Sequence, residues 1–122
     1  MVWQDGGNYV LVNIWVDDSP NHDGSAVSLF CCAGGHERIE NAVWVNVGRQ
    51  VAWGRRSTLR VASDGDHLAV RLDGQPVLYR RVRDLYPRTT PLSISRVGVG
   101  VNREWGDDTG TELFDFRARR RR

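Results

Sequence analysis

Residues 57–79, which read STLRVASDGDHLAVRLDGQPVLY, carry the clearest fold signal in the chain. Leucine and valine occupy every second position in two runs, 59–61 and 68–72. This alternation is typical of half-buried antiparallel strands. Asp64-Gly65 and Asp73-Gly74 follow these runs, and Asp-Gly supplies the positive φ that a tight hairpin needs. The stretch therefore predicts a three-stranded antiparallel meander.

The same alternation recurs on both sides of the meander. Residues 8–16 are predicted to form a strand that is apolar on both faces, with Val10, Val12, Ile14 and Val16 on one and Tyr9, Leu11 and Trp15 on the other. Such a strand usually lies centrally in a sheet that is covered on one side. Further strands are predicted over 25–32, 38–45, 97–101 and 113–117. The strand 97–101 would have its valines on one face, and the strand 113–117 would place Phe114 beside Phe116.

Fold class and domain organisation follow from these runs. No window of a dozen residues keeps helical periodicity, and the predicted loops are 17–24, 46–56, 80–93 and 103–110. A chain of 122 residues is the length of one domain. We therefore predict an all-β protein, an antiparallel two-sheet jelly-roll sandwich of about eight strands over residues 1–118. Residues 119–122 form a tail of four arginines, which is typical of a frayed terminus, with contact to an anionic partner as the alternative.

Charge and hydropathy exclude some partners. The chain has 17 Lys+Arg against 15 Asp+Glu, a net charge of +2, which is too even for a dedicated nucleic-acid binder or a polybasic membrane anchor. No apolar run is long enough for a transmembrane helix. We therefore expect neither nucleic acid nor membrane as partner. The first residues lack a basic start and an apolar core, so no signal peptide is predicted and the compartment stays open.

The two cysteines, Cys31 and Cys32, are adjacent in a predicted strand. Neighbouring side chains in a strand point to opposite faces, which disfavours a mutual disulfide. We expect two small buried thiols. The three histidines show no zinc-ligand spacing.

Several short motifs resemble one family. The motifs are Trp3-Gln4-Asp5 with Asn8-Tyr9, the meander from Leu59-Arg60-Val61 to Asp73-Gly74, Val97-Gly98-Val99, and Phe114-Asp115-Phe116. They resemble motifs of bacterial lectin-like domains of the concanavalin A and laminin-G type, a lineage that includes keto-disaccharide hydrolase-like domains. The resemblance covers most of residues 2–118. It implies a jelly-roll fold, carbohydrate binding and a location that is often outside the cytoplasm.

The chain departs from the family pattern in two places. Arg56 stands where the family usually has a tryptophan. Family members also carry further strands before the one that corresponds to Trp3-Gln4-Asp5. We therefore expect an open strand edge, which would suit a fragment, a homodimer or a neighbouring domain.

Candidate catalytic residues are lacking. Glycoside hydrolysis needs two carboxylates across the sugar bond, and the glucanases of this fold place them at alternate positions of one strand. Glu37 and Glu40 are three apart, on opposite faces of a strand, and are expected to be solvated loop charges. No catalytic residue is assigned, and a sugar-processing hydrolase or its remnant stays an alternative.

Carbohydrate binding needs aromatic faces and nearby polar groups. Tyr9, Trp15 and Trp44 are predicted to line the sheet face opposite the valines, although core or lid positions are the competing interpretation. The loop 104–111 adds Trp105, Asp107 and Asp108 as contacts to a ligand or calcium, or as a structural turn. A non-catalytic lectin-like module is the leading interpretation, and an interaction domain that associates through its open edge is the second.

A second loop could also hold calcium. Asp17, Asp18 and Asp23 offer oxygen donors within a short span. Calcium takes six to eight oxygens, and no glutamate closes this loop. Calcium is therefore a weak alternative, and no other cofactor is predicted.

Overall fold

The computed structural model describes residues 2–16, 24–52, 54–86, 88, 90–99 and 113–119, with the backbone alone at residues 2 and 3. These residues form eight strands and one short helix: β1 Val2–Asp5, β2 Asn8–Trp15, β3 Ser25–Ala33, β4 His36–Gly48, β5 Leu59–Ser63, β6 His67–Leu72, β7 Gln75–Arg81, α1 Val82–Leu85 and β8 Arg96–Val97.

The strands form two antiparallel sheets. The larger has the order β4-β3-β2-β1-β8 and the smaller the order β5-β6-β7. Consecutive strands pair within β1–β4 and within β5–β7, and β8 returns to the larger sheet to pair with β1. The all-β class and the two-sheet sandwich of about eight strands are confirmed, and β2 lies at the centre of its sheet as predicted.

A single apolar core joins the two sheets. The valine face of β2 contributes to it, since Val10 is buried and Val12 and Ile14 pack against the buried cluster. Leu68, Val70 and Leu72 face it from β6, as their alternation predicts, and helix α1 adds Val82 and Leu85. Burial of these side chains is the main stabilising contribution, at roughly 25 cal/mol per Å² of apolar surface.

The predicted meander forms from β5, β6 and β7. Asp73 and Gly74 connect β6 to β7, with φ of 48° and 84°. Positive φ at both central residues is the signature of a type I′ hairpin turn, whose twist matches that of the strands. The Asp73 carboxylate also accepts a hydrogen bond of 2.7 Å from the Thr58 amide, which fixes the start of β5.

Two predicted loops contain regular structure. The interval 46–56 begins with the end of β4, and 80–93 contains the end of β7 and helix α1. A one-turn helix is too short to show periodicity, so its formation depends on packing against β3, β4 and β7.

The valine run 97–101 was wrongly predicted to form a half-buried strand. Only Val97 belongs to a strand, the two-residue β8, and both Val97 and Val99 are exposed. Residues 100 and 101 lie outside the described part. Alternation predicts extended backbone, but burial requires a second layer over the valines.

Residues 113–117 were also wrongly predicted to form a strand. They have no regular structure, and Phe114 and Phe116 are more than half exposed. Asp115 adopts φ +51°, which interrupts an extended run. Arg56 contacts this segment at the surface. Its guanidinium lies 4.6 Å from the centre of the Phe114 ring and 3.2 Å from the Asp115 carboxylate.

Candidate functional site

The outer face of the five-stranded sheet gathers the predicted aromatic residues. Strand register places the following side chains on it: Tyr9, Leu11, Asn13 and Trp15 from β2; Ala26, Ser28, Phe30 and Cys32 from β3; and Glu37, Trp44 and Asn46 from β4. We call this surface the aromatic face. It lies opposite the valine face that is buried against the smaller sheet, so the predicted placement of Tyr9, Trp15 and Trp44 is confirmed.

Trp15 and Trp44 form a fixed pair on this face. Their ring centres are 5.5 Å apart and their planes are inclined by 40°. The Trp15 indole Nε1 donates a hydrogen bond of 3.1 Å to Ser28 Oγ, and Ser28 has no exposed surface. The bond fixes the orientation of Trp15, and Trp15 in turn supports Trp44, which is 52% exposed. The pair therefore presents one open indole on a rigid base.

Strand register explains why the two indoles meet. Trp44 lies directly across from Ser28, and Trp15 lies across from Ala26, one step along the same face of β3. Ser28 and Ala26 are small, so both indoles can lean over the central strand. Asn13, also opposite Ser28, adds a half-buried amide to the same region.

Tyr9 and Glu37 occupy the other end of the aromatic face. The Tyr9 hydroxyl donates a hydrogen bond of 3.3 Å to Glu37 Oε1. Burial, then the neighbouring Cys32 thiol and Glu37 carboxylate, raises the pKa of Tyr9 to about 12. The phenol therefore keeps its proton at neutral pH and remains a hydrogen-bond donor. Glu37 is exposed, as expected, but it lies in strand β4 and not in the predicted loop.

The aromatic face carries little charge. Among the described residues that register places on this side of the sheet, Glu37 is acidic and Arg96, across from Trp3 on β8, is basic, and both belong to the row of Tyr9. The described positions around Trp15 and Trp44 carry no charge, so a neutral ligand would lose little hydration free energy there, whereas an anionic ligand would meet no counter-charge beside the indoles.

The two cysteines are free and buried, as predicted, and they point to opposite sides of β3. The Cys31 thiol donates to the carbonyl oxygen of Leu85 inside the core. The Cys32 thiol donates to the carbonyl oxygen of Gly7, 3.4 Å away, beneath the aromatic face. Both thiols thus bond to backbone oxygens within the packed structure.

The remaining predicted site residues lie outside the described residues. These are Trp105, Asp107 and Asp108 of the ligand loop, and Asp17, Asp18 and Asp23 of the calcium loop. Within the described ranges, no three His, Cys, Asp or Glu side chains are grouped as metal ligands would be. None of the described helical residues belongs to a segment long and apolar enough to cross a bilayer.

Sequence reasoning missed a second surface, the outer face of the three-stranded sheet. Register places Arg60, Ala62, His67, Ala69, Arg71, Tyr79 and Arg81 on it, and we call it the arginine face. A depression of about 140 Å³ lies there, lined by Ala62, Ser63, Asp64, His67, Ala69 and Tyr79. Positions 67, 69 and 71 alternate with the buried leucines and valine of β6, so the signal was present in the sequence.

Comparison with known proteins gives no further guide, since no protein-family model, curated protein or solved structure matches this chain.

Proposed function

We propose that this protein is a non-catalytic carbohydrate-binding module that holds a neutral sugar on the aromatic face. The observation that carries the proposal is the Trp15–Trp44 pair, in which a half-exposed indole rests on a second indole anchored to Ser28. The resemblance to lectin-like domains adds the expectation of this function from the sequence side.

The geometry suits a sugar ring. The apolar face of a pyranose can stack on an indole, and a rigid indole loses little conformational entropy when it does so. Because the two ring centres are only 5.5 Å apart, Trp15 and Trp44 act as one inclined platform and do not hold two separate sugars. Asn13 offers an amide to the sugar hydroxyls beside the platform.

The electrostatics favour a neutral sugar. Glu37 can accept hydrogen bonds from hydroxyl groups, but it would repel a sugar carboxylate or sulfate. Most glycoside hydrolases use a pair of carboxyl groups, and the described part of the aromatic face presents Glu37 alone. This arrangement supports binding in preference to hydrolysis.

Affinity gel electrophoresis on neutral polysaccharides tests the proposal. We expect retardation by at least one of β-glucan, xylan or galactomannan, and a loss of roughly tenfold in affinity on Trp44→Ala, because the stacked contact is removed. Trp15→Ala should weaken binding as well, since Trp44 loses its support. Tyr79→Ala, which removes an exposed ring from the arginine face, is the matched control and should bind like wild type.

Retardation that persists unchanged in both tryptophan variants would refute the proposal. Binding that is lost equally in the Tyr79→Ala control would also refute it, because the effect would then not belong to the aromatic face.

A second candidate function is self-association through β4. This strand has 13 residues and lies at the edge of the larger sheet, with Ile39 66% exposed. An edge strand offers unpaired backbone groups to a second copy of the chain. Light scattering at high concentration should then detect a dimer that Ile39→Lys weakens, whereas a monomer at all concentrations would eliminate this function.

A further inference from the structure

We propose that the arginine face is a second binding site, and that it takes an acidic sugar, a hydroxylated ring with one carboxylate, such as a uronic-acid residue. The site uses none of the residues of the aromatic face. It therefore stands or falls independently of the function proposed above.

The depression on this face has room for one sugar ring, and we call it the seat. Ala62 and Ala69 are paired across β5 and β6, and their small side chains form its floor. Tyr79 lies across from Ala69 and is 60% exposed. Its ring stacks on His67, with ring centres 5.0 Å apart and planes inclined by 8°. The stack gives the seat a firm aromatic wall, and about 140 Å³ of space remains beside it.

A pair of arginines lies one step from this seat. Arg60 and Arg71 are direct cross-strand neighbours, in the row next to Ala62 and Ala69. Two residues of a strand span about 7 Å, a distance that a long arginine side chain can cross to meet a carboxylate on a ring in the depression. Arg71 is held in place, since its Nη1 donates to the Gly74 carbonyl oxygen at 3.1 Å.

The arginine pair favours an anion. Like charges directly opposite each other in a sheet are destabilising. Among the described residues that register places on the arginine face, none is acidic, so no carboxylate lies directly across from either arginine of the pair. A ligand carboxylate between the two guanidinium groups would relieve the repulsion and accept charge-assisted hydrogen bonds.

The other end of the seat is acidic, and this limits the ligand to one charge. Asp64 lines the depression, and its Oδ1 accepts hydrogen bonds of 2.9 and 2.7 Å from the amides of Asp66 and His67. These bonds, the one from His67 first, lower the pKa of Asp64, so the carboxylate is ionised at neutral pH. It can accept sugar hydroxyls but would repel a second anionic group.

This polarity distinguishes an acidic sugar from a nucleic-acid strand. A strand carries a phosphate on each side of every base, so one phosphate would lie toward Asp64 and Asp66. An acidic sugar can place its carboxylate at Arg60 and Arg71 and its hydroxyls at Asp64. The arginine face therefore complements a ring with one anionic end.

Isothermal titration calorimetry tests the site with two matched probes, methyl galacturonide, which carries one carboxylate, and methyl galactoside, its carboxyl-reduced, neutral counterpart. We expect the acid to bind and the neutral glycoside to bind at least tenfold more weakly. Arg60→Gln should weaken binding of the acid roughly tenfold or more, because it removes a charge-assisted hydrogen bond. Tyr79→Ala should weaken it several-fold and Tyr79→Phe should not, because phenylalanine keeps the ring.

Two controls separate this site from general charge and from the aromatic face. Arg83→Gln removes the same charge from helix α1, and Trp44→Ala removes the platform on the opposite side of the sandwich; both should bind the acid like wild type. No binding of the acid, equal binding of the neutral probe, or equal losses in Arg60→Gln and Arg83→Gln would overturn the proposal. Oligothymidylate bound with the same dependence on Arg60 and Tyr79 would also overturn it and assign the face to nucleic acid.

Discussion

At the scale of single residues, Cys31 links the core to proton binding. Its thiol is buried, and it donates to the backbone oxygen of Leu85 at the end of α1. Burial, then the neighbouring Cys32, raises the pKa of Cys31 from 9.0 to about 11. The folded protein therefore keeps this proton over a range in which the unfolded chain releases it.

This difference predicts a loss of stability in base. Between pH 9.0 and about 11 the folded state binds more protons at Cys31 than the unfolded state, so the free energy of unfolding falls as pH rises. The contribution is complete below pH 9.0 and gone above about 11. Urea unfolding across this range, with reductant, should show a steeper decline for wild type than for Cys31→Ala. Equal slopes would contradict the assignment.

Asn8 joins three parts of the fold at one end of the sandwich. Its Oδ1 accepts hydrogen bonds of 2.6 Å from the Tyr86 hydroxyl and 3.0 Å from the Gly34 amide. Its Nδ2 donates to Asp5 Oδ1 at 2.9 Å. Asn8, which belongs to one of the motifs that resemble the lectin-like family, therefore has a structural role in this chain.

Tyr86→Phe should lower the free energy of unfolding by about 1 kcal/mol, because it removes a hydrogen bond from a buried site. Tyr79→Phe makes the same chemical change on an exposed ring and should have almost no effect. Chemical denaturation compares the two. A loss that is the same in both variants would show that the contact with Asn8 contributes nothing.

At the scale of elements, the β6–β7 hairpin is the part of the fold most strongly specified by local sequence. Asp73-Gly74 sets the turn, and Leu68, Val70 and Leu72 set which face is buried. A slip of one residue would move those three side chains into water and place His67, Ala69 and Arg71 in the core. The turn and the alternation therefore specify the same register.

Gly74→Ala should destabilise the protein by about 1 to 2 kcal/mol. Open space surrounds the position of the added methyl group, so the cost comes from φ +84° and not from a clash. Gly6→Ala is the matched control, since Gly6 also faces open space and lies outside the left-handed region. Thermal unfolding of both variants should show a lower Tm for Gly74→Ala alone. Equal Tm values would rule out a requirement for positive φ at this turn.

At the scale of the whole molecule, the two sheets bury their inner faces together and leave two chemically different outer faces. The described positions around the two indoles of the aromatic face carry no charge, and the arginine face is basic beside a small depression. The net charge of +2 hides this division, because it sums over the entire chain. The two proposed sites follow from the distribution of charge and not from its total.

The apolar residues of 113–117 should contribute little to stability. Phe116 is 54% exposed, so Phe116→Ser is expected to change the free energy of unfolding by less than about 1 kcal/mol. Leu68→Ala, at a position with no exposed surface, should cost about 2 to 5 kcal/mol. Urea denaturation gives both values. A cost for Phe116→Ser as large as for Leu68→Ala would mean that the segment is buried in solution.

The sequence by itself determined the strands, the meander, the central position of β2 and the separation of Tyr9, Trp15 and Trp44 from the valines. These features depend on alternation and turn chemistry between near neighbours. Only the tertiary structure decided that the indoles meet over Ser28, that the arginines gather beside Tyr79, and that Phe114 and Phe116 stay exposed. Those outcomes depend on which strands pair and on what covers each face. The alternation of apolar residues along one strand is the same whether or not another sheet packs against it, so the sequence pattern does not decide them.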